Sequence, residues 1–450
     1  MKGSHDITNA RLSDEQYQDH FTDIAPPLTD RQAQIESERC LFCYDAPCIT
    51  ACPSDIDIPG FIRKISVKNL DGAAQDILSE NILGGSCARI CPTEELCEEA
   101  CVRNKQAECK PVDIGSLQRY ALDNRPSQKA QPFERQAETG KRIAVVGAGP
   151  AGLACAHRLA VFGHNIDLID AKEKAGGLNE YGIAAYKLTE DFAQKEVDFI
   201  LDIGGITLKP NTRLGSDITL DQLSQDYDAV FVGIGLQNTN DLGIDGEDLP
   251  GVIDAVDYIA ELRQTSHLKE LAVGNDVIVI GAGNTAVDIA VQTRKLGAEN
   301  VTMVYRRGEE QMSATWHEQE IAQTNDVRIR TWAKPVSLEG DKDGVSSITF
   351  ERTKLENDRL VGTGENFTLK ADVVFKAIGQ KFDNGPLAGN TALPELVAGK
   401  IKVDEHCKTT LNNVWAGGDC INDGEDLAVV AVKHGKLAAA SIHQFLTEDA

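Results

Sequence analysis

Nine of the chain's twelve cysteines lie between Cys40 and Cys109. They form two runs, Cys40-x2-Cys43-x4-Cys48-x3-Cys52-Pro53 and Cys87-x3-Cys91-Pro92-x4-Cys97-x3-Cys101. Thiols this dense are either disulfides or metal ligands. The opening residues, "MKGSHDITNARLSDEQ", are polar and acidic and do not read as a secretory signal, so disulfides account poorly for the cluster. Zinc takes four ligands and favours paired Cys-x2-Cys knuckles, and here there are more thiols and one such pair. Cys-x2-Cys followed by Cys-Pro is the iron–sulfur style, in which the last cysteine of a run ligates the other cluster. If Cys40, Cys43 and Cys48 hold one cubane and Cys52 crosses to a second, symmetry gives Cys91 and Cys97 to the second and returns Cys101 to the first. The second then needs one more ligand, for which spacing offers Cys87 or Cys109.

Two glycine fingerprints carry a different chemistry. The first is Gly147-Ala148-Gly149-Pro150-Ala151-Gly152, with Asp170 closing the following apolar stretch, "NIDLID". Strand, glycine turn and helix in this register bring backbone N–H groups and a positive dipole end to a pyrophosphate, and Asp170 stands where ribose hydroxyls are bound. The second is Gly281-Ala282-Gly283-Asn284-Thr285-Ala286, about 134 residues further on (147 to 281). Arg306 and Arg307 stand where an acidic residue would hold a ribose 2′-hydroxyl. Guanidinium groups suit a 2′-phosphate, which points to NADP, with NAD as the alternative because Glu309 and Glu310 follow closely. Two dinucleotide sites imply a flavoprotein exchanging hydride with a nicotinamide. Candidate contacts to the two cofactors also include Gly177, Leu178, Lys187 and Leu214, then Ala377, Ile378 and Gly379. Near the end come Gly418 and Asp419 of "AGGDC" and Ala428 and Val429 at the start of a closing helix. That helix would aim its N-terminus at the flavin ring and stabilise negative charge there. No Cys-x2-Cys accompanies the flavin segments, which argues against disulfide reduction, and no side chain is expected to act as a catalytic acid or nucleophile.

The elements that must position these groups follow from the pattern. Residues 1–30 read as an arm, and 31–125 as helices punctuated by Cys-Pro. Residues 126–140, polar and proline-containing, read as a linker. Strands then alternate with helices, implying parallel, doubly wound sheets. The expected fold class is α/β with an all-α N-terminal domain: a helical iron–sulfur domain and then two Rossmann-like domains. The FAD domain spans 141–265 and 373–450, with the NAD(P) domain, 266–372, inserted in it.

Composition agrees. With 450 residues, 42 % of them hydrophobic, the chain has material for several cores. A net charge of −25 disfavours nucleic acid as a partner. No apolar run reaches the roughly 18 residues of a membrane span, so the cytoplasm is the expected compartment.

"CLFCYDAPCITACP", "GGSCARICPTEELCEEAC", "PVDIGSLQRY", "GAGPAGLA", "GAGNTAVDIA" and "AGGDC" together resemble the amino-terminal half of the dihydropyrimidine dehydrogenase family. More closely they resemble the separate small subunit of its bacterial members, in a wider group with the glutamate synthase small subunit. The five residues "PTEEL" between Cys91 and Cys97 are similar to the pyrimidine enzyme, since the glutamate synthase type usually has a shorter gap. The resemblance implies two [4Fe-4S] clusters, one on Cys40, Cys43, Cys48 and Cys101. The other would take Cys52, Cys91, Cys97 and Gln118, leaving Cys87 and Cys109 as non-ligands. It further implies FAD, NADPH or NADH, and an FMN- and iron–sulfur-containing partner that reduces uracil or thymine. The chain departs from the pattern at Ser313, where NADPH-binding members carry a further arginine, and at Lys187, which stands for an arginine contacting FAD.

Overall fold

The computed structural model describes residues 6–7, 11–105, 109–126 and 131–448. Parts of the expected arm (1–5, 8–10) and linker (127–130), together with 106–108 and 449–450, lie outside the described residues. The chain divides into two compact units.

The larger unit takes Ala25–Glu180, Glu190–Gln237 and the chain from Phe382 onward. Its first part is all helix, with Asp30–Glu38, Pro47–Ala51, Ile58–Ser66, Leu70–Glu80, Gly84–Ile90 and Ile114–Asp123. Side chains of Thr29, Asp57, Asn69 and Asp113 accept from backbone N–H groups three residues on, so the short helices start where the sequence supplies caps. Phe61, Ile62, Ile77 and Leu117 are fully buried between them.

The second part is a parallel sheet in the order Val414–Ala416, Ala229–Val232, Arg142–Val146, Asn165–Ile169, Ile206–Lys209. Val145 sits opposite Leu168 on one side and Phe231 on the other. Near-continuous apolar runs such as "IAVV" suit strands covered on both faces. The helices Pro150–Val161 and Ala428–Glu448 pack together over the sheet. Leu78, Ile82 and Leu83 from the cysteine-bearing part belong to the same core as Val145, Leu153 and Leu168. The two parts are therefore one packed body. Residues 131–140 lie along it, with Gln136 N donating to Val161 O at 2.9 Å and Thr139 N to Gly163 O at 3.0 Å.

The smaller unit takes the chain up to Ile24, then Tyr181–Thr189 and Asn238–Lys381. Its parallel sheet runs Val252–Asp254, Val373–Lys376, Asp276–Ile280, Asn300–Val304, Val327–Arg330. A three-stranded antiparallel sheet, Ala333–Asp341, Gly344–Glu356 and Arg359–Lys370, adds to it. The unit is wider than the 266–372 span expected for the NAD(P) domain. Val373–Lys376 pairs with Asp276–Ile280 and carries Val252–Asp254 on its far side, so both flanking strands belong to this sheet. The described part of the arm is also built in. Helix Asp14–His20 has a capping box between Ser13 and Gln16, Tyr17 is 3 % exposed, and Ile7 N donates to Val273 O at 3.1 Å. Among the described residues, no helix is long and apolar enough to cross a membrane.

Candidate functional site

Cys40, Cys43, Cys48 and Cys101 line one pocket, together with Ile58, Ile62, Val112 and Ile114. Arg39, which caps helix Asp30–Glu38, fastens this loop. Its guanidinium donates to Pro111 O and Lys110 O at 2.8 Å each, and its own carbonyl accepts from Arg103 Nε at 2.8 Å. Phe42 is left-handed at φ 51°, and this turn lets its N–H donate to Cys40 Sγ at 3.4 Å. Burial pushes the Cys40 thiol up, and the Cys48 thiol up to about 12, with Cys101 adding to both. Thiols such as Cys40 and Cys48, which resist ionisation in an apolar wall, are ill placed for solution chemistry. They suit a cationic centre that deprotonates its ligands outright.

Cys52, Cys91 and Cys97 form a second group. Burial raises Cys52 and Cys97, and Cys52 lies close enough to Cys97 to raise it further. Cys91 is raised by its contact with Cys87, by burial, and by Cys97 and Cys52. Of the two candidates that spacing offers for the fourth position, Cys87 is buried within this group, while Cys109 is exposed. Gln118, on helix Ile114–Asp123, is also buried here. Its Nε2 donates to Gly84 O at 2.7 Å, at the start of the helix that carries Cys87. The amide nitrogen is thereby tied to the helix turn that leads into Cys87. Cys48 also raises Cys97, so the two groups are neighbours. The thiols of both groups are donors of the soft kind that iron–sulfur centres take.

At the first fingerprint, a Cβ on Gly152 would lie 1.8 Å from Gly147 O, so only glycine lets the helix Pro150–Val161 seat against the turn. Gly147 itself has φ +99°. Asp170 accepts from Ala148 N at 2.6 Å and from Lys172 N at 2.7 Å, bracing the loop as well as standing at the expected ribose position. Gly177 approaches Gly149 closely, Leu178 is exposed, and Leu214 is buried in the sheet's core. Gly418 packs on Ala151, and burial pushes Asp419 up to about 6, with Asp426 adding to the shift. The sequence reading missed His434, whose Nδ1 accepts from Gly418 N at 3.3 Å and ties the "GGD" turn to the closing helix.

That closing helix meets the cysteine region at its first turn. Cys87 and Cys91 pack with Leu427, Val429 and Val430. Ser54, two residues after Cys52, donates from Oγ to Val429 O at 3.3 Å, and Lys436 Nζ reaches Ser54 O at 2.9 Å and Glu80 at 2.6 Å. Val429, expected at the flavin, thus borders the second cysteine group.

At the second fingerprint, Ala282 O accepts from Ala314 N at 2.8 Å and from Ser313 Oγ at 3.5 Å. Asn284 and Thr285 open helix Asn284–Lys295, and Ala286 is fully buried. Among the described residues, the buried Asn284 Oδ1 has no protein partner. Arg306 is exposed and Arg307 half-buried. Ala377 lies beside Gly281, Ile378 O accepts from Asn240 Nδ2 at 3.2 Å, and Gly379 has φ +87°. Lys187 belongs to this unit. Its ammonium sits between Asp288 (2.7 Å) and Glu318 (2.6 Å), buried to 8 % exposure, where sequence reading expected an FAD contact. The two carboxylates hold its pKa up against burial.

Residues 141–435 match the family model described as pyridine nucleotide-disulphide oxidoreductase, and residues 17–130 match dihydropyrimidine dehydrogenase domain II, 4Fe-4S cluster. A relative from Salmonella typhi, the NAD-dependent dihydropyrimidine dehydrogenase subunit PreT homolog, is 33 % identical over 96 % of this chain and 98 % of its own. The glutamate synthase [NADPH] small chain of Escherichia coli is 32 % identical over 95 % of this chain and 94 % of its own. Among solved structures, Mycobacterium tuberculosis FprA in complex with NADPH shares the fold with a TM-score of 0.58 at 21 % identity, covering 68 % of this chain and 85 % of that one. The thioredoxin reductase of T. acidophilum gives 0.54 at 20 % identity, covering 68 % of this chain and 99 % of that one.

Proposed function

We infer the function from one premise: the chain belongs to the pyridine nucleotide-disulphide oxidoreductase family, preceded by a dihydropyrimidine dehydrogenase-type 4Fe-4S region, and is an NAD(P)-dependent flavin oxidoreductase. From that premise we propose that it is the electron-input subunit of a cytoplasmic dihydropyrimidine dehydrogenase. It would oxidise NAD(P)H at FAD and pass electrons through two [4Fe-4S] clusters to an FMN-containing partner that reduces uracil or thymine. When bound, the flavin and the iron–sulfur centres supply the conversion from two-electron to one-electron transfer.

The residues divide the work. Gly147–Gly152 and the amino end of helix Pro150–Val161 bind the flavin's pyrophosphate, and Asp170 and Asp419 orient its ribose and ribityl portions. Gly281–Ala286 holds the nicotinamide nucleotide, with Arg306 and Arg307 at its adenosine ribose. Cys40, Cys43, Cys48 and Cys101 hold one cluster, and Cys52, Cys91, Cys97 and Gln118 the other. The packing of Cys87 and Cys91 on Val429 and Val430 carries the reading, because it sets the second cysteine group against the flavin fold. Leu41 and Tyr44, both exposed beside Cys40 and Cys43, leave the first group at the surface, as an exit to a partner requires. Pyrimidine reduction needs an acid to protonate the ring, and that role falls to the partner.

The near-equal identity to the glutamate synthase small chain favours one second reading, electron supply to glutamate formation. Anaerobic purification with the candidate partner, followed by assay with uracil and with glutamine plus 2-oxoglutarate, separates the two. NAD(P)H-dependent uracil reduction supports the first reading, and glutamate formation replaces it with the second.

A further inference from the structure

Glu196 lies on helix Phe192–Leu201 of the flavin fold, and the environment of its side chain belongs to the cysteine region. It is buried. Oε1 accepts from Gly85 N and Ser86 N at 3.0 Å each, and Oε2 from Ser86 Oγ at 2.5 Å. Those donors are the first turn of helix Gly84–Ile90, which carries Cys87 and ends at Cys91. The same turn is held from its other side by Gln118, which donates to Gly84 O. A Cβ on Gly85 would lie 2.6 Å from Phe192 Cζ and 2.9 Å from Glu196 Oε1, so the glycine is required by this contact. Arg89, one turn on, stacks on Phe192 at 3.7 Å, donates to Gly85 O at 3.0 Å, and pairs with Asp123.

Burying a carboxylate is unfavourable unless donors surround it. The donors here are backbone and hydroxyl groups one residue from Cys87. Arg89, the cation acting on Glu196, is shared with Asp123. An apolar side chain would leave these three donors unmet, and a neutral amide offers one acceptor oxygen to them, so the turn calls for a carboxylate. Burial pushes the Glu196 carboxyl up to about 7 against the donors that pull it down, so it is ionised above that pH, and its charge, little screened by solvent, then acts on a redox centre beside it. It disfavours the added electron and so lowers the potential of that centre.

We propose that Glu196 is a positioning residue that seats the second cysteine group on the flavin fold and sets the reduction potential of the iron–sulfur centre held there. The proposal rests on the reading that Cys52, Cys91 and Cys97 hold such a centre. Its place in the fold distinguishes Glu196 from the other carboxylates: it links the flavin side of the unit to the cysteine side through one turn of backbone.

The test is an anaerobic redox titration at about pH 8.5, where the Glu196 carboxyl is ionised, followed by electron paramagnetic resonance on the full chain, as wild type, Glu196→Gln and Glu196→Ala. Iron and sulfide are counted in each, and the second centre is assigned as the signal altered by Cys97→Ser. Glu196→Gln keeps an acceptor for the helix turn and removes the charge. The expected result is wild-type iron content, an upward shift in the midpoint of the second centre, and a first centre that stays in place. Glu196→Ala should shift the same signal and also lose iron from that centre. An unmoved second midpoint in Glu196→Gln overturns the proposal, as does an equal shift of both centres. A wild type without iron removes the underlying reading and the proposal with it, an outcome the iron count distinguishes from the others.

Discussion

A Cβ placed on Gly435 would lie 2.2 Å from the carbonyl oxygen of Ala151. The closing helix therefore touches the fingerprint helix backbone to backbone, one turn from the glycine loop that the flavin needs. Gly435→Ala must push the helices apart or strain one of them. Overpacking of this kind costs about 1–3 kcal/mol. The expected outcome is a lower urea midpoint and less FAD per purified chain. Wild-type FAD content with unchanged stability would show that the close approach is dispensable.

Lys187 is predicted to act through its ion pairs with Asp288 and Glu318. Lys187→Met leaves two carboxylates facing each other with no cation between them. Breaking a buried pair from one side costs about 3–5 kcal/mol. Denaturant unfolding should show a loss of that order. A variant of wild-type stability with weakened FAD binding would restore the role expected from sequence, a direct flavin contact.

Gln118 and Cys87 compete for the fourth position of the second group: Cys87 is buried against Cys91, and Gln118 is buried and bonded to Gly84 at the start of the same helix. Gln118→Ala is expected to lose or alter the second iron–sulfur signal, and Cys87→Ser to leave the iron content and both signals intact. Loss of a cluster in Cys87→Ser alone would exchange the two assignments.

His157 is buried, and burial aided by Arg158 holds its pKa down to about 3. A histidine whose folded pKa lies below its unfolded value of about 6.5 contributes fully above that value, and loses the contribution as pH falls towards 3. At pH 5 the loss is about 2 kcal/mol, from roughly 1.4 kcal/mol per pH unit. His157→Gln has no such titration. The stability advantage of wild type over the variant should therefore shrink by about that amount between pH 7.5 and pH 5 in anaerobic urea unfolding. A constant difference would mean that the ring charges without penalty.

What was legible in the sequence was whatever local sterics or ligand spacing demanded. Gly147, Gly152 and Gly281 sit at positions where a side chain would collide with backbone, so their spacing alone marks the two turns. The four cysteines of the first group come from two separated runs, and spacing with symmetry paired them as the pocket does. The extent of the smaller unit was not legible in this way. Val252–Asp254 joins its sheet only through Val373–Lys376, more than a hundred residues later. Lys187 reads from its local motif as a flavin contact, and its carboxylates arrive from Asp288 and Glu318, which no spacing rule connects to it. Glu196 is one acidic residue among 70 Asp and Glu, distinguished only by the helix turn it meets in three dimensions.

The most direct measurement is iron and acid-labile sulfide per chain on anaerobically purified protein, with electron paramagnetic resonance before and after adding NADH or NADPH. The expected result is about eight iron per chain, as two cubanes require, and [4Fe-4S] signals that develop on reduction by nicotinamide nucleotide. Protein that binds flavin and reduces it with NAD(P)H, yet contains no iron or shows no reduced cluster, would contradict electron passage through Cys40–Cys101.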